Sequence, residues 1–502
     1  MWVCVSNDFS MKVIVEQIIK SETSKEPENL GIDKLQEKLR QEINGKKYLL
    51  VLDDVWNENP NSWNELKDLL KNGAKGSMIL VTTRSEQVAK ITSKDRRYHL
   101  QGLPKDKSWS LFKQIAFEQG EEPKSSTLIA IGKEILAKCA GVPLAIKTIG
   151  RLLYDNYAVD DWLHFRDSEL SKIDQEETDV LPIFKLSYDY LPSYLKQCFA
   201  YCALFPKDYS FEKEKVIYLW MAQGFVQKSN ENQSPEDLGN KYFMELLSRS
   251  FFQVAPQYRA IFMYNTHYLG RSPRKTMYKM HDLMHDLAQL VIGSEGIIAT
   301  SCTKYINERC RHVSLGFHLQ PSQKFPEELL KAKHIRTLLF PFKPLKSPGY
   351  IRPNLSCRNI FFIYCLCWYD SENFRDEITL TYAGSKFWCL RILDFSCLRM
   401  LDLSCLYLQK LPSSIGRLKY LRYLDLSCNE IKKLPNSILK LINLEILDLS
   451  YCYRLKKLPK DMRKMVSLRY LIIEECTSLY KGNGGLPTEL EPLTKPRKTS
   501  PL

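Results

Sequence analysis

Residues 47–56 read Lys-Tyr-Leu-Leu-Val-Leu-Asp-Asp-Val-Trp, an apolar run that ends in the adjacent carboxylates Asp53 and Asp54. A parallel α/β sheet presents functional groups at the carboxyl ends of its strands. There the first acid can hold Mg²⁺ through water, and the second can orient or deprotonate an attacking water. Taken alone, the pattern equally describes a buried strand followed by a turn in which both carboxylates cap the next helix. The surrounding sequence therefore has to decide between the two interpretations.

A second apolar run, Ser77-Met-Ile-Leu-Val-Thr-Thr-Arg84, supports the first interpretation. It predicts a neighbouring strand that ends in Thr82, Thr83 and Arg84. A guanidinium at this place can sense a γ-phosphate, because guanidinium–phosphate bonding is bidentate and charge-assisted. By itself, Arg84 would be read as a surface arginine after a strand.

A third feature is the segment Lys138-Cys-Ala-Gly-Val-Pro-Leu-Ala-Ile146. Gly141 and Pro143 predict a break between two helices, since proline is tolerated in the first turn of a helix. Considered alone, this is a helix–turn–helix corner.

In this order, the three features resemble the NB-ARC nucleotide-binding module of plant disease-resistance proteins with leucine-rich repeats. The resemblance covers nearly the whole chain, with six collinear matches over about 290 residues. Further segments resemble the family's strand after the phosphate loop, its non-TIR signatures and its regulatory MHD motif: Trp2–Ser6, Leu186–Pro192, Lys196–Pro206, Leu219–Phe225 and Met280–Asp282.

The resemblance implies ADP or ATP with Mg²⁺ as the cofactor and assigns a role to each matching residue. It implies that Asp53 binds Mg²⁺ and that Asp54 orients or deprotonates the attacking water. Any hydrolysis would then be slow and regulatory. It implies that Asp282 holds the closed arrangement. It implies that Arg84 senses a phosphate and that the corner with Gly141, Pro143 and Leu144 contacts the adenine. It implies that His281 contacts the β-phosphate of ADP.

The family's phosphate loop, of the type G-x-x-x-x-G-K-[ST], is expected upstream of Trp2. Asn44-Gly45-Lys46-Lys47 is no substitute, because no glycine precedes it at the required spacing and a strand follows it. It predicts the polar turn after a helix over 32–43. The strand that carries the loop, expected between those of 78–82 and 98–100, would be missing too, leaving unpaired sheet edges. We expect either a truncated gene model or pseudogene product, or a short protein with weakened nucleotide binding.

The predicted fold class is α/β multidomain: a partial P-loop NTPase-type parallel sheet, helical and winged-helix subdomains, and an α/β leucine-rich-repeat solenoid. Alternating short strands and helices predict the sheet. The expected boundaries are 1–104 for the nucleotide-binding subdomain, 105–180 for the helical one, 181–295 for the winged helix, 296–390 for linker and degenerate repeats, 391–482 for regular repeats and 483–502 for an irregular tail.

The C-terminal repeats give the strongest periodic signal. Leu398, Leu421, Leu444 and Leu468 each begin the phrase Leu-x-x-Leu-x-[Leu/Ile], at intervals of about 23 residues. A single repeat cannot bury these leucines, so neighbouring repeats must stack into a curved solenoid. Degenerate repeats are expected at 311–315 and 335–340, and residues 341–389 break the pattern. The x positions are predicted to line the concave face: Arg399, Met400, Asp402, Arg422, Tyr423, Asp425, Glu445, Ile446 and Asp448.

Composition limits the function classes. The chain has 502 residues, 15 cysteines and a formal net charge of +14. The cysteines are not at zinc spacing and, with no signal peptide, predict reduced thiols in a cytosolic protein. The basic excess lies on solvent-facing repeat positions, and no nucleic-acid reading motif is present. The apolar run 360–369 is too short to span a bilayer.

The segment Met280-His-Asp-Leu-Met-His-Asp-Leu-Ala288 leaves a metal interpretation open, since His281 and His285 lie one helical turn apart. We disfavour it because no third ligand is apparent. The bland alternative is a helix N-terminus with Asp282 at the positive end of the helix dipole. The second His-Asp pair is interpreted as packing.

Three functions are weighed. The first is an intracellular plant immune receptor, or a fragment of one, in which nucleotide exchange switches the protein and the repeats sense a pathogen effector or a guarded host protein. Self-association or pairing with related receptors is expected in that case. The second is a nucleotide-independent binding decoy or regulator. The third, a DNA-binding regulator, rests only on the winged-helix resemblance and charge. The mixed charges of residues 212–215 argue against it, because they suit a solvated face or an intramolecular contact.

Overall fold

The structure is a computed structural model, and it describes residues 1–5, 9, 11–23, 31–93, 95–121, 123–154, 156–170, 180–226, 233–255, 276–299, 303, 305–315, 329, 332, 334–341, 395–406 and 408–480. The sequence features at 341–389 and 483–502 lie almost entirely outside these residues. The chain divides into two compact units, one within residues 1–100 and one from Gln101 onward. Among the described residues, no helix is both long and apolar enough to cross a membrane.

The first unit is built on a three-stranded parallel sheet in the order β1-β2-β3. Its central strand, β2, is the apolar run that ends in Asp53, and its first strand pairs with it in register from Trp2 opposite Val51. The strands and helices of the unit are β1 (Trp2–Cys4), α1 (Met11–Thr23), α2 (Ile32–Ile43), β2 (Leu49–Asp53), α3 (Pro60–Leu69), β3 (Met78–Val81) and α4 (Glu86–Thr92).

Local sequence explains where these helices begin and end. Asn59 caps α3 through the amide of Asn61, and Pro60 occupies its first turn, as proline can. Ser85 caps α4 by accepting from the amide of Val88. The turn after α2 contains Gly45 at φ 65°, which confirms the predicted polar turn there. The helices bury aliphatic stripes against the sheet.

The strand expected at residues 98–100 does not form. Tyr98 and Leu100 are 85% and 82% exposed, and the segment has no regular structure. Within the described residues, β3 pairs with β2 alone and exposes Met78 and Leu80. A strand needs a neighbouring strand to pair with, and among the described residues none of the sheets includes residues 98–100.

The second unit begins with helices and a small antiparallel sheet in the order β4-β6-β5. A π-helical turn at Phe165–Glu169 and short 3₁₀ turns interrupt the helices. The elements are α5 (Lys105–Ala116), α6 (Ser126–Ala137), α7 (Pro143–Leu152), α8 (Val159–His164), α9 (Leu181–Asp189), α10 (Ser193–Tyr201), β4 (Phe211–Glu212), α11 (Lys213–Gln223), α12 (Pro235–Ser248), β5 (Gln253–Val254), β6 (Met277–Lys279) and α13 (Asp282–Ile292).

The remainder of the unit is a parallel sheet of seven short strands, one from each turn of a solenoid. It confirms the regular repeats and both degenerate ones, and it adds a strand before them that the sequence analysis missed. The strands are β7 (Gly296–Ala299), β8 (His312–Leu315), β9 (Thr337–Leu339), β10 (Met400–Asp402), β11 (Tyr423–Asp425), β12 (Ile446–Asp448) and β13 (Tyr470–Ile472).

The solenoid interior is aliphatic, and one buried amide joins its turns. The repeat leucines are fully buried between neighbouring strands. Asn429, 3% exposed, accepts from the amide of Leu408 and donates to the carbonyls of Leu403 and Leu426. Cys452 stands at the matching place one repeat later and donates its thiol to the Leu426 carbonyl at 3.2 Å. The asparagine thus satisfies several buried backbone groups, and the cysteine satisfies one.

We predict that Asn429→Ala lowers the free energy of unfolding of the second unit by about 3 kcal/mol, because it leaves several buried backbone groups unpaired. Cys452→Ala should lower it by about 1 kcal/mol, since Asn429 still donates to the carbonyl of Leu426 that Cys452 also contacts. Denaturant unfolding of the full chain, followed in the second unit by hydrogen exchange, measures both. Equal losses in the two variants would contradict the bridging role of Asn429.

Candidate functional site

The carboxyl end of β2 brings together the acidic residues that the sequence singled out. Thr82, just after β3, donates its hydroxyl to the carboxylate of Asp53 and accepts from the amide of Asp54 at 2.9 Å. Asp54 has a positive φ of 56°, which turns the chain sharply away from the strand. The two carboxylates therefore lie at the same edge of the sheet and are held by the neighbouring strand.

Arg84 lies at the same edge. Its Nη2 is 3.8 Å from Oδ1 of Asp54, and its guanidinium stacks 4.5 Å from the ring centroid of Trp56. The side chains of Arg84 and Asp54 are 35% and 21% exposed, so both remain accessible to a ligand. Cation–π stacking holds the guanidinium near the acids without consuming all five of its donors.

The donor set of this edge fits a hydrated magnesium ion. Mg²⁺ takes oxygen ligands, retains several waters and uses one or two carboxylates beside substrate phosphates. Asp53, Asp54 and the Thr82 hydroxyl supply such oxygens within the first unit. Asp53 would hold the ion, and Arg84 would meet a phosphate oxygen.

The glycine–proline corner lies in the second unit. Gly141 has a φ of 71° and sits so close to Leu103 that a Cβ would lie 2.7 Å from the Leu103 backbone. Pro143 begins α7, as predicted, and is exposed, while Leu144 is half-buried. The corner therefore has a structural reason for its glycine and still leaves Pro143 accessible.

His281 is also in the second unit, as the N-cap of α13. Its ring Nδ1 accepts from the amide of Leu283 at 3.2 Å, and the residue is exposed. Asp282 is the first residue of the helix, where a carboxylate is favourable to the helix dipole. The expected place of the MHD segment is confirmed, whereas the phosphate role of His281 stays a prediction.

The second His-Asp pair is packing, as predicted. His285 is 4% exposed, and its Nε2 lies 2.8 Å from the carbonyl oxygen of Phe205. Burial lowers the pKa of His285 and favours the neutral ring. Asp286 pairs with Lys207 at 2.6 Å.

Helix α11 covers the face of the repeats that the sequence analysis assigned to ligand capture. Met400, Tyr423 and Ile446 project from three successive strands and are 0–2% exposed. They belong to the same apolar core as Val216, Leu219 and Trp220, on or near α11. These x positions are therefore covered by a helix far away in sequence, an intramolecular contact that the sequence analysis did not predict.

Lys215 anchors this contact electrostatically. Its Nζ donates to Asp402 at 3.1 Å and to Asp425 at 3.3 Å, and both aspartates are 2% exposed. Burial lowers the pKa of Lys215, but Asp402 and Asp425 outweigh that effect and raise it well above its usual value. The lysine is charged and compensates two buried carboxylates. The sequence analysis had left a solvated face and an intramolecular contact open for this residue, and the contact is the outcome.

Further polar contacts extend the interface to both sides of Lys215. Arg469 donates to both carboxylate oxygens of Glu236, at 2.8 and 3.1 Å. Arg399 Nη1 donates to the carbonyl oxygen of Gln223 at 2.8 Å, at the end of α11. The ring centroids of Tyr218 and Tyr470 are 5.1 Å apart. The contact thus runs along the sheet from β9 to β13.

A buried hydroxyl ties the helices to the first repeats. Thr337 Oγ1 accepts from Gln223 Nε2 at 2.9 Å and lies 3.2 Å from Tyr201 Oη and 2.9 Å from His312 Nδ1. With the amide and the phenol as donors, the hydroxyl donates to His312 Nδ1, which requires a neutral ring. Burial first, and then Arg336, Arg311 and Arg399, lower the pKa of His312 to about 3.

We predict acid sensitivity from His312. An unfolded histidine protonates near pH 6.5. The folded one stays neutral to about pH 3, so its stabilisation is complete above pH 6.5 and is lost as the pH falls. Between pH 7 and pH 5 it should remove about 2 kcal/mol from the free energy of unfolding, a loss that His312→Gln abolishes.

Denaturant unfolding at both pH values measures this difference, with the exposed His334→Gln as the matched control. Asp448, whose pKa burial and Asp425 raise to about 7, acts with the opposite sign in all three proteins. It therefore cancels from the comparison. The same pH dependence in wild type and His312→Gln would contradict the assignment.

Three family models match the chain. They describe an NB-ARC domain over residues 1–122, a disease resistance protein winged helix domain over residues 204–288 and a leucine-rich repeat region over residues 374–500. This chain therefore joins a nucleotide-binding module, a winged helix and a repeat solenoid, and it belongs to the family of plant disease-resistance proteins with NB-ARC and leucine-rich-repeat domains.

Its relatives agree with this assignment. The putative disease resistance protein RGA4 of Solanum bulbocastanum is 41% identical over 69% of this chain and 33% of its own length. The putative disease resistance RPP13-like protein 1 of Arabidopsis thaliana is 37% identical over 67% of this chain and 31% of its own length. The chain thus spans about a third of the curated relatives that it matches.

A solved leucine-rich-repeat protein of Leptospira interrogans is 22% identical over 32% of this chain and 31% of that chain, with a TM-score of 0.21. That similarity is too low to support an inference about this fold.

Sequence reasoning missed three participants of the interface between winged helix and repeats. Lys215 looked like one of several surface charges, and only its two aspartate partners distinguish it. His312 and Thr337 lie in degenerate repeats, where the leucine pattern is weak. One detectable signal was the recurrence of aspartate at the same strand position in three repeats, at Asp402, Asp425 and Asp448. Stacked carboxylates at such positions indicate that a cation lies nearby to compensate them.

Proposed function

We propose that this chain is a cytoplasmic plant immune receptor, or a part of one, in which bound ADP and the packing of the winged helix on the repeats hold a resting state. Exchange of ADP for ATP would release the winged helix and permit assembly. The repeats would sense a pathogen effector or a guarded host protein. The observation that carries the proposal is the interface of α11 with strands β10 and β11, centred on Lys215, Asp402 and Asp425.

The interface has the properties of a switchable contact. It combines fully buried apolar residues with a buried ion cluster, which is stable only while its members stay together. Removing the cation leaves two uncompensated carboxylates, so a partial opening is unfavourable and the contact favours two discrete states. A ligand can shift such an equilibrium only by binding the two states with different affinity.

The nucleotide half of the proposal rests on the edge of the first unit. Asp53, Asp54 and Arg84 supply two carboxylates and a guanidinium within a few ångströms, an arrangement suited to Mg²⁺ and phosphate. The family resemblance assigns the β-phosphate of ADP to His281, at the start of α13, and the adenine side to Gly141, Pro143 and Leu144, at the start of α7.

Equilibrium binding of labelled ADP with Mg²⁺ tests this half. We expect ADP to bind in the micromolar range or tighter, and His281→Ala and Asp53→Asn should weaken it. Labelled ATP, tested beside ADP, should bind Arg84→Gln about tenfold more weakly, because a charge-assisted γ-phosphate contact is lost. Asp68→Asn, an exposed acid on α3, is the matched control.

ADP that fails to bind at millimolar concentration would contradict the switch. The chain would then act as a nucleotide-independent protein-binding decoy or regulator. Binding that Arg84, His281 and Asp53 variants leave unchanged would overturn the residue assignment.

If the packing of the winged helix on the repeats holds the resting state, Lys215→Met should weaken it. This variant should cost the interface about 3 kcal/mol or more, since Asp402 and Asp425 stay buried without a cation. Hydrogen exchange of α11 should accelerate, and ADP should dissociate faster. Lys213→Met, two residues earlier, is the control and should change neither rate.

A triple variant separates lost charge compensation from lost packing. Asp402→Asn and Asp425→Asn can keep the bonds from Ser404 and Ser427, so combining them with Lys215→Met should restore much of the protection. If Lys215→Met leaves exchange in α11 unchanged, the interface does not act as the restraint.

A further inference from the structure

Four arginines form a row along the repeats, one strand apart. Arg311, Arg336, Arg399 and Arg422 occupy the residue just before the paired stretch of strands β8 to β11. The amides of Arg336, Arg399 and Arg422 each donate to the carbonyl of the preceding arginine, at 2.6, 2.8 and 2.8 Å. Neighbouring strands of a sheet are about 4.8 Å apart, so this register stacks like charges at that spacing. We call these four residues the arginine row.

The arginine row lines a cavity of about 640 Å³ between the repeats and the winged helix. Helix α11 ends at this cavity with Gln223 and Gly224, and Lys196 of α10 lies on its wall. A Cβ built on Gly224 would lie 3.8 Å from Arg422 Nη1 and 3.9 Å from Arg399 Nη1, so both guanidiniums approach the same point.

The positive charge of the cavity is only partly balanced. Five basic side chains line it, the arginine row and Lys196, against the two carboxylates of Glu295 and Glu445, a net charge of +3 (5 − 2). Glu295 lies 3.8 Å from Arg311, and Glu445 lies 3.6 Å from Arg422. Among the described residues, Arg336 and Arg399 have no carboxylate within 4 Å.

Like charges at this spacing destabilise a sheet unless an anion compensates them. The repulsion is visible at Arg399, whose pKa burial first and then Arg336 and Arg422 lower. It also contributes to the low pKa of His312 on the cavity wall. The fold therefore concentrates positive charge at a place where it is partly removed from water.

We infer that this cavity binds a small soluble anion with several phosphate groups, which joins the winged helix to the first repeats. A guanidinium binds phosphate oxygens bidentately. A row of guanidiniums therefore suits a ligand with successive phosphates better than it suits a ligand with isolated carboxylates. The cavity is lined by the end of α11 and by the residues that precede the first repeat strands, and tripolyphosphate tests it with a soluble anion that has no lipid tail.

This cavity shares no residue with the proposed nucleotide site, since its lining includes none of Asp53, Asp54, Arg84, Gly141, Pro143, Leu144 and His281. It would act as a bridge, since its walls come from both sides of the interface that Lys215 anchors. Anion binding should therefore stabilise the contact of α11 with the repeats.

The test uses the full chain, saturated with Mg-ADP, and tripolyphosphate as the probe in calorimetric titration at about 0.15 M salt. We expect a saturable site that Arg336→Gln or Arg399→Gln weakens by about tenfold or more. Arg336→Lys should lie between wild type and Arg336→Gln, since it keeps the charge and loses the bidentate fork. Arg417→Gln removes the same charge from an exposed position outside the cavity and should have no effect.

A second measurement needs no variant. Tripolyphosphate should slow hydrogen exchange at the end of α11 and in strands β8 to β11 of the wild-type chain. Protection confined to residues 1–100 would place the probe at the nucleotide edge and overturn the inference. So would a titration in which Arg417→Gln weakens binding as much as Arg336→Gln, or in which hexaglutamate binds as tightly as tripolyphosphate.

If ADP fails to bind the first unit, the same titration without ADP still tests the cavity. The two proposals therefore fail separately: loss of nucleotide binding concerns Asp53, Arg84 and His281, whereas loss of tripolyphosphate binding concerns the arginine row.

Discussion

The second unit depends on one ion cluster, in which the charge of Lys215 lies between the buried carboxylates of Asp402 and Asp425. Neither aspartate could be buried alone, because an isolated charge in a protein interior is costly. The repeats supply the carboxylates and the winged helix supplies the cation, so each charge lowers the free-energy cost of burying the other. The apolar residues Met400 and Tyr423, on the same two strands, are buried by the same contact.

This arrangement constrains how the repeats can meet a protein partner. Fully burying a side chain such as Met400 or Ile446 is worth about 1.5–3 kcal/mol. A partner that reads the strand positions of β10 to β12 must displace α11 and replace that burial, besides compensating Asp402 and Asp425. A partner that binds elsewhere on the solenoid avoids this cost and leaves the winged helix in place. Under the proposed function, a ligand that competes for these strands would link recognition directly to release of the winged helix.

Much of the fold could be predicted because its signals are local. The spacing of Leu398, Leu421 and Leu444 requires stacked repeats, and the run that ends in Asp53 requires a strand with acids at its carboxyl end. Strand β7 was missed because Gly296-Ile-Ile-Ala299 lacks the leucine pattern of the repeats. The strand at residues 98–100 was expected by analogy, and strand formation depends on a pairing partner that its own residues cannot report.

The candidate sites divide in the same way. Arg84 could be placed beside the acids because parallel strands end at one edge of a sheet. The covering of Met400, Tyr423 and Ile446 could not be predicted, since an apolar residue at a repeat's x position is equally compatible with a partner protein and with another part of the same chain. Only the tertiary contact with α11 distinguishes the two.

The repeat architecture itself explains why two opposite charges appear side by side on this surface. Strands β10, β11 and β12 carry a charged residue just before the paired stretch and an aspartate three residues later, as in Arg399 with Asp402 and Arg422 with Asp425. Stacking therefore converts two sequence positions into a basic row and an acidic row along the solenoid. The winged helix reaches the acidic row with Lys215, and at the basic row it offers the carbonyl of Gln223 to Arg399. A carbonyl dipole balances a guanidinium less completely than a carboxylate does. The structure thus pairs the acidic row with a cation of its own chain and leaves the basic row with a residual positive charge, on which the proposed anion site rests.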